Sequence, residues 1–441
     1  MDNKKYQLLS WGVVLFLFTV IVMLLMVNKA QKPEEKPAPA KEVMSEVEEK
    51  EIEKEIEKPA IKPNLLKEIE QEKDLDKKAK KIVNTMTLEE KVGQVLMIGF
   101  HGTKVSSEVE AMILNKHIGG IIYFDRNMTA PKQVAELSNS LQSLVADSTF
   151  QLPLMTAVDQ EGGDIVRMRK EVSPLPSQQK LGQTAMANEI YEIAKLNGKE
   201  LNSMGININF SPVLDLSAND TRSFGVDKNK AYEFGSSVVQ GLNASGVTGA
   251  LKHFPGHGRS NVDPHVETSS VQADQLDLEN SDIYPFKQMI QQKDDNNFFV
   301  MVTHVKYPAY DKEKPASLSP VIINDLLRKK LGYQGLVVTD DLEMGAVNKY
   351  YSYKDMGKEA IQAGADLLLV CHEYSHQLEV YNGLVEAVQK EEISEERINE
   401  AAQRIVLHKL MNIKETQVDP EQASSIVKHQ EHIQYIQSVV K

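Results

Sequence analysis

From about residue 75 onward, two kinds of hydrophobic pattern alternate along the chain. Eight short runs are nearly continuously apolar: VGQVLMIGF (92–100), GGIIYFD (119–125), LPLMTAVD (152–159), ININFSPVLD (206–215), VTGALKHF (247–254), NFFVMVTHV (297–305), QGLVVTDD (334–341) and ADLLLVCH (365–372). They are rich in Val, Ile and Leu and lack clean two-residue alternation, as strands buried on both faces do. Between them lie segments with apolar positions at helical spacing, among them SSEVEAMILNKH, PKQVAELSNSLQSLVA, NEIYEIAKLNGKELNSMG, AYEFGSSVVQGLNASG, SPVIINDLLRKKLG and KDMGKEAIQAG. TLEEK at Thr87–Lys91 has the spacing of a capping box, Thr87 with Glu90. A last helical stretch runs from Gln377 to Asn412. This alternation predicts an α/β fold, a single TIM-like (β/α)8 barrel over 75–415, with a helical tail over 416–441. An open doubly wound sheet is the competing arrangement; the count of eight favours the barrel.

The runs end in polar residues. Asp159, Asp215, Lys252 with His253, His304, and Asp340 with Asp341 each close one of them. A single charged residue there is an ordinary cap for the next helix. Five such ends together point to a shared catalytic mouth at the C-terminal face of the barrel.

The N-terminal pattern is different. Leu8–Val27 is twenty residues without a charge, long enough to cross a bilayer as a helix. Lys4 and Lys5 precede it, favouring a cytoplasmic N-terminus. The stretch exceeds a signal-peptide core and has no clear cleavage site, so residues 1–30 read as an uncleaved membrane anchor. Residues 31–74, rich in Pro, Glu and Lys in their first half, read as a disordered charged linker. The catalytic domain is then expected outside the cytoplasmic membrane, at the bacterial cell surface.

Composition narrows the classes further. A net charge of −13 argues against nucleic acid as a partner. The one cysteine, Cys371, excludes an intrachain disulfide. The densest chemistry lies in KHFPGHGRSNVDPH (252–265). Pro255 and Gly256 between His253 and His257 disfavour the helix that would put both imidazoles on one face, and no His-Glu-x-x-His or carboxylate cluster supports a metal. A phosphate cradle would need a helix to follow, and none is signalled. Asp263 and His265, two apart in a loop, suit acid/base work, because a carboxylate orients an imidazole and raises its pKa.

KHFPGHG followed by Asp-x-His resembles the signature of family 3 glycoside hydrolases, in the bacterial β-N-acetylglucosaminidase (NagZ-type) branch. DQEGG (159–163), NINFSPVLDL (207–216), RSF (222–224), THVKYPAYD (303–311) and TDDLEMGA (339–346) agree in order and spacing. The resemblance implies a retaining exo-β-N-acetylglucosaminidase acting on GlcNAc-containing saccharides or muropeptides; no cofactor or metal is expected, and the catalytic domain is expected to be monomeric. It implies Asp340 as nucleophile, His265 as acid/base with Asp263 as its partner, and Asp159, Arg222, Lys252 and His253 as sugar ligands. Strand geometry alone says only that Asp340 and Asp341 point to opposite faces. His257, Gly256 and Gly258 are expected to shape the loop. The chain departs from relatives in Pro264, where Ser is common, and in Asp164, where a base is common. It also ends without the second α/β domain of many members, so the site is expected to be completed within the barrel. A phosphorylase or β-glucosidase of the same family, or a non-catalytic wall-binding protein, are the competing functions.

Overall fold

The computed structural model describes residues 63–260 and 269–441. The anchor assigned to 1–30 and most of the 31–74 linker lie outside the described residues. No helix among the described residues is long and apolar enough to cross a membrane.

Each of the eight apolar runs contains one strand of a closed barrel. The strands are β1 (Leu96–Ile98), β2 (Gly120–Tyr123), β3 (Met155–Val158), β4 (Ile208–Asn209), β5 (Thr248–Phe254), β6 (Phe298–Val302), β7 (Val337–Asp341) and β8 (Leu367–Val370). Neighbours pair in parallel and in chain order, and β1 closes on β8 with Leu96 opposite Leu368. Every residue of β1–β6 and β8 is buried, which is why these runs show no polar alternation.

Helices fill the crossovers, among them Ser107–Lys116, Pro131–Val145, Ala187–Ser203, Lys228–Asn243 and Tyr353–Ala363. Val321–Lys330 is wound as a π-helix. The capping box forms: Thr87 N donates to Glu90 Oε2 at 2.9 Å, and Glu90 N to Thr87 Oγ1 at 3.2 Å.

Two expectations change. The stretch 377–412 is not one helix but two, Tyr374–Gln389 and Glu395–Asn412. Glu391 between them adopts a left-handed φ of 60°, and Ser394 caps the second helix at Arg397 N. The linker boundary at residue 74 also moves, because Pro63–Gln71 is helical. Its Ile69 is buried with Ala79, Ile82, Val83, Ala402 and Val406 in a satellite cluster. Short, charged segments such as this have a readable apolar stripe only once their partner helix is known.

One further element, absent from the hydrophobic pattern, follows β6: a two-stranded hairpin, Lys306–Tyr307 with Asp311–Pro315. Its residues are largely polar and half-exposed, so no strand signal marks them.

Candidate active site

The sugar ligands expected from the sequence come together at the C-terminal ends of β3, β4 and β5. Lys252 lies on β5, next to a register shift between Leu251 and Phe254. Its Nζ is 2.7 Å from Asp159 Oδ1 and 2.5 Å from Glu161 Oε1. Arg222 grips Glu161 with two parallel bonds of 2.8 Å, through Nε and Nη2. The same Nη2 is 3.4 Å from His253 Nε2. His253 Nδ1 donates to Asp215 Oδ2 at 2.6 Å, and the His253 and His257 backbone N–H groups both bond Asp215 Oδ1.

The electrostatics follow from this packing. Burial opposes the charge of Glu161, yet Lys252 and Arg222 outweigh it and hold the carboxyl at about 2. Asp159 and Asp215 are likewise held below the usual range against burial, the former by Lys252 and Arg167, the latter by His253. Lys252 is shifted up, because its two carboxylates overcome desolvation. Asp159, Glu161, Asp215, Lys252 and Arg222 therefore stay ionised through neutral pH.

Asp340 and Asp341 separate as strand geometry requires. Burial works against the Asp340 charge, but the imidazoles of His253 and His304, the Asp341 N–H and the Lys252 ammonium together keep its carboxyl below the usual range. The Asp341 N–H donates to Asp340 Oδ1 at 2.9 Å. The Asp341 side chain turns instead to the loop after β8, accepting from Cys371 N at 3.2 Å and lying 3.1 Å from His372 Nε2. His304 is buried; its Nε2 donates to the Asp341 carbonyl at 2.9 Å, and its Nδ1 accepts from Ser317 Oγ at 2.7 Å. Burial shifts His304 below its ordinary pKa, against the pull of the Asp340 and Asp341 groups.

Asp263 and His265 fall in 261–268, outside the described residues. The two ends of that segment meet: Ser260 Oγ and Ser269 Oγ are 2.6 Å apart. The base of the loop is built tightly. Gly256 has φ 126°, and a Cβ there would lie 2.5 Å from Asp282 Cβ. A Cβ on Gly258 would lie 2.1 Å from the Leu216 carbonyl oxygen. Arg259 clamps Asp282 and Asp277 at 2.9 and 2.7 Å. His257 contributes its backbone N–H to Asp215, while its Nε2 has no partner among the described residues.

Two participants carried no role in the sequence reading. Glu161 stands in DQEGG, two residues after Asp159; the second carboxylate at one strand end was the available signal. Arg167 reaches back to Asp159 Oδ2 at 3.4 Å and lies over the Phe124 ring at 5.1 Å. Nothing local marks that arginine, because the turn that returns it is formed by long-range bonds such as Met168 N to Asp125 Oδ1.

Comparison with known proteins places this arrangement. Residues 87–407 match the family described as glycosyl hydrolase family 3 N terminal domain. A beta-hexosaminidase A of Pseudoalteromonas piscicida is 33% identical over 330 residues, covering 69% of this chain and 55% of that protein. The chain thus spans about half the length of that relative. A beta-hexosaminidase of Nitrosomonas eutropha is 34% identical over 289 residues, 63% of this chain and 80% of its own length. The solved structure of a glycoside hydrolase family 3 beta-N-acetylglucosaminidase from Paenibacillus sp. strain FPU-7 superposes with TM-score 0.73 at 35% identity, over 80% of this chain and 68% of that one. With a family match that spans the whole barrel, this chain belongs to glycosyl hydrolase family 3.

Proposed function

We propose that the chain is a retaining exo-β-N-acetylglucosaminidase that hydrolyses terminal β-linked N-acetylglucosamine. The observation that carries this reading is the ionised Asp159–Lys252–Glu161–Arg222 cluster, with Lys252 and Glu161 buried and Asp159 and Arg222 partly exposed, beside an ionised Asp340 in the mouth of a family 3 barrel. The relatives named above are beta-hexosaminidases and a beta-N-acetylglucosaminidase.

The cluster binds by what it leaves uncommitted. Lys252 Nζ has three N–H groups and, among the described residues, gives two to Asp159 and Glu161, so one remains for a sugar hydroxyl. Arg222 spends Nε and Nη2 on Glu161, leaving Nη1 uncommitted among the described residues. Asp159 supplies acceptor capacity.

In the first step an Asp340 oxygen attacks the anomeric carbon as its bond to the leaving oxygen breaks, and protonated His265 gives that oxygen its proton. In the second step water attacks the same carbon, its proton passes to His265, and the bond to Asp340 breaks. Asp263 orients the His265 imidazole and supports its charge. Asp340 suits the nucleophile because it is ionised and, among the described residues, accepts a single bond, from Asp341 N.

Peptidoglycan fragments are the substrate class we propose. Leu8–Val27 would anchor the chain in the cytoplasmic membrane, and the charged stretch 31–62 would carry the barrel outside it, towards the wall. The test is release of 4-nitrophenol from its β-N-acetylglucosaminide and its β-glucoside, with and without phosphate, by wild type and Asp340→Asn. Cleavage of the first only, independent of phosphate and lost in the variant, is expected. Dependence on phosphate would make the protein a phosphorylase, and cleavage of the glucoside alone would overturn the reading. Protease accessibility of the barrel in intact and lysed cells tests the location.

A further inference from the structure

Glu200 lies on the helix Ala187–Ser203, outside the cluster that surrounds Asp340. Only 4% of its side chain is exposed, yet the resemblance gives it no part in sugar binding, and its bonds go to other parts of the chain. Its carboxylate accepts from Ser173 Oγ at 2.5 Å, Ser173 N at 3.2 Å, Lys428 N at 3.0 Å and His432 Nδ1 at 2.8 Å. The first two donors belong to the loop after β3, and the last two to the C-terminal segment 416–441. One buried carboxylate thus joins three pieces of chain remote in sequence.

The loop leads directly to the sugar-binding cluster. Leu175 N donates to Ser173 O at 2.8 Å, and Gly163 N donates to Leu175 O at 3.0 Å. Gly163 is two residues beyond Glu161. On the same helix and one turn earlier, Asn197 Nδ2 donates to the carbonyl of Gln160, the residue between Asp159 and Glu161, at 3.0 Å. Gln160 Oε1 in turn accepts from Arg167 N at 2.7 Å. One helix face therefore holds both ends of the loop that presents Asp159, Glu161 and Arg167.

The tail is built to bear on this point. Val427, Ile436 and Val439 are buried in the main core, and Lys428 Nζ bonds the Lys170 carbonyl of the same loop. Lys428 itself has φ 59°, which turns its N–H onto Glu200.

We propose that Glu200 is a positioning residue for glycoside hydrolysis: it latches the C-terminal tail to the loop after β3 and so sets the affinity of the Asp159–Glu161–Arg167 surface for the sugar. This rests on the hydrolase reading above. Loosening the latch would let that loop shift while leaving Asp340 and the 252–260 stretch in place. The cost would fall on interactions made equally in the ground and transition states, and so on KM rather than kcat.

The test is steady-state kinetics of the full chain on 4-nitrophenyl β-N-acetylglucosaminide, for Ser173→Ala, Glu200→Gln, His432→Gln and Arg167→Ala, with the double variant of Glu200→Gln and Arg167→Ala. Glu200→Gln is expected to raise KM about tenfold and Ser173→Ala about threefold, the scale of a charge-assisted bond and of a single hydroxyl bond, with kcat within about twofold. In the double variant KM should be no higher than in Arg167→Ala alone, because the latch acts through that loop. A clamp that only stabilises the fold would lower the melting temperature and leave KM unchanged. Wild-type KM in both Ser173→Ala and Glu200→Gln, or full multiplication of the two effects in the double variant, overturns the proposal. Should Glu200→Gln fail to accumulate, Ser173→Ala, which removes one hydrogen bond, decides the matter with Arg167→Ala as its partner. A wild type inactive on this substrate would refute the hydrolase reading; an active wild type with an unaltered Ser173→Ala refutes the latch alone.

Discussion

Lys252 Nζ lies 2.5 Å from Glu161 Oε1, with 3% and 1% of their side chains exposed. Removing one partner of such a pair leaves the other charge buried, while removing both can restore much of the stability. Lys252→Met is therefore expected to lose about 3–5 kcal/mol of stability, and activity by a factor of about 10² or more. Adding Glu161→Gln should recover part of the melting temperature and none of the activity. Denaturation and kinetics on the same three proteins separate the two roles; recovery of activity in the double variant would place Lys252 outside the binding machinery.

The ionisation of Asp340 sets a second expectation. Its carboxyl is held below the ordinary carboxylate range, so it remains a competent nucleophile as pH falls past 4. The first step needs His265 protonated, so the proposed Asp263–His265 pair is expected to give kcat/KM its alkaline limb, with activity falling as pH rises. Asp340→Asn should lower kcat by about 10⁴ or more across the whole range. His265→Ala should remove the pH-dependent limb and spare substrates whose leaving group needs no proton, such as 2,4-dinitrophenyl glycosides. A limb near pH 4 that persists in His265→Ala would point back to Asp340.

The barrel was legible because its strands are buried on both faces. Each run from VGQVLMIGF to ADLLLVCH announced a strand without stating where in the run it lay. The mouth was legible at Asp159, Lys252, His253 and Asp340, because each ends a run. Glu161 and Arg167 were not, because their roles depend on a turn closed by long-range bonds. The break between residues 389 and 395 was written in the Ser394-Glu395-Glu396 cap signal, but the apolar spacing on either side masked it. The hairpin at 306–315 carried no period at all.

Asp366, just before β8, is fully buried and holds three arginines: Arg328 at 2.5 Å, Arg397 at 2.7 Å and Arg404 at 2.9 Å. It also accepts Val337 N, at the start of β7, at 3.1 Å. Burial opposes its charge, yet the arginines hold the carboxyl at about 2. Its folded pKa is below its unfolded one, so its contribution is complete above about pH 4 and is lost as pH falls through 2. Asp366→Asn should cost about 3–5 kcal/mol at neutral pH, since it leaves three cations facing one another. It should also flatten the loss of stability between pH 4 and 2. Equilibrium unfolding in urea at pH 7 and pH 3 measures both, and an unchanged midpoint at pH 7 would show that the cluster contributes nothing net.

Lys409 presents the opposite sign. It is 1% exposed on the helix Glu395–Asn412, and among the described residues its Nζ has one partner, Gln94 Oε1 at 2.7 Å. Burial alone pushes its pKa down to about 7. The unfolded chain keeps its lysine near the ordinary value of about 10.4, so between pH 7 and 10 the unfolded state binds the extra proton. Stability from this group therefore rises with pH through that window. Below pH 7 the folded state carries a buried ammonium at a cost on the order of 4 kcal/mol. Lys409→Met removes that cost and leaves Gln94 Oε1 without its donor, a loss of about 1 kcal/mol. The variant is expected to be more stable than wild type at pH 6, with the gain shrinking towards zero by pH 10. Thermal unfolding at several pH values reads this directly. A gain of equal size at pH 6 and pH 10 would mean that Met packs better than Lys and that the charge plays no part.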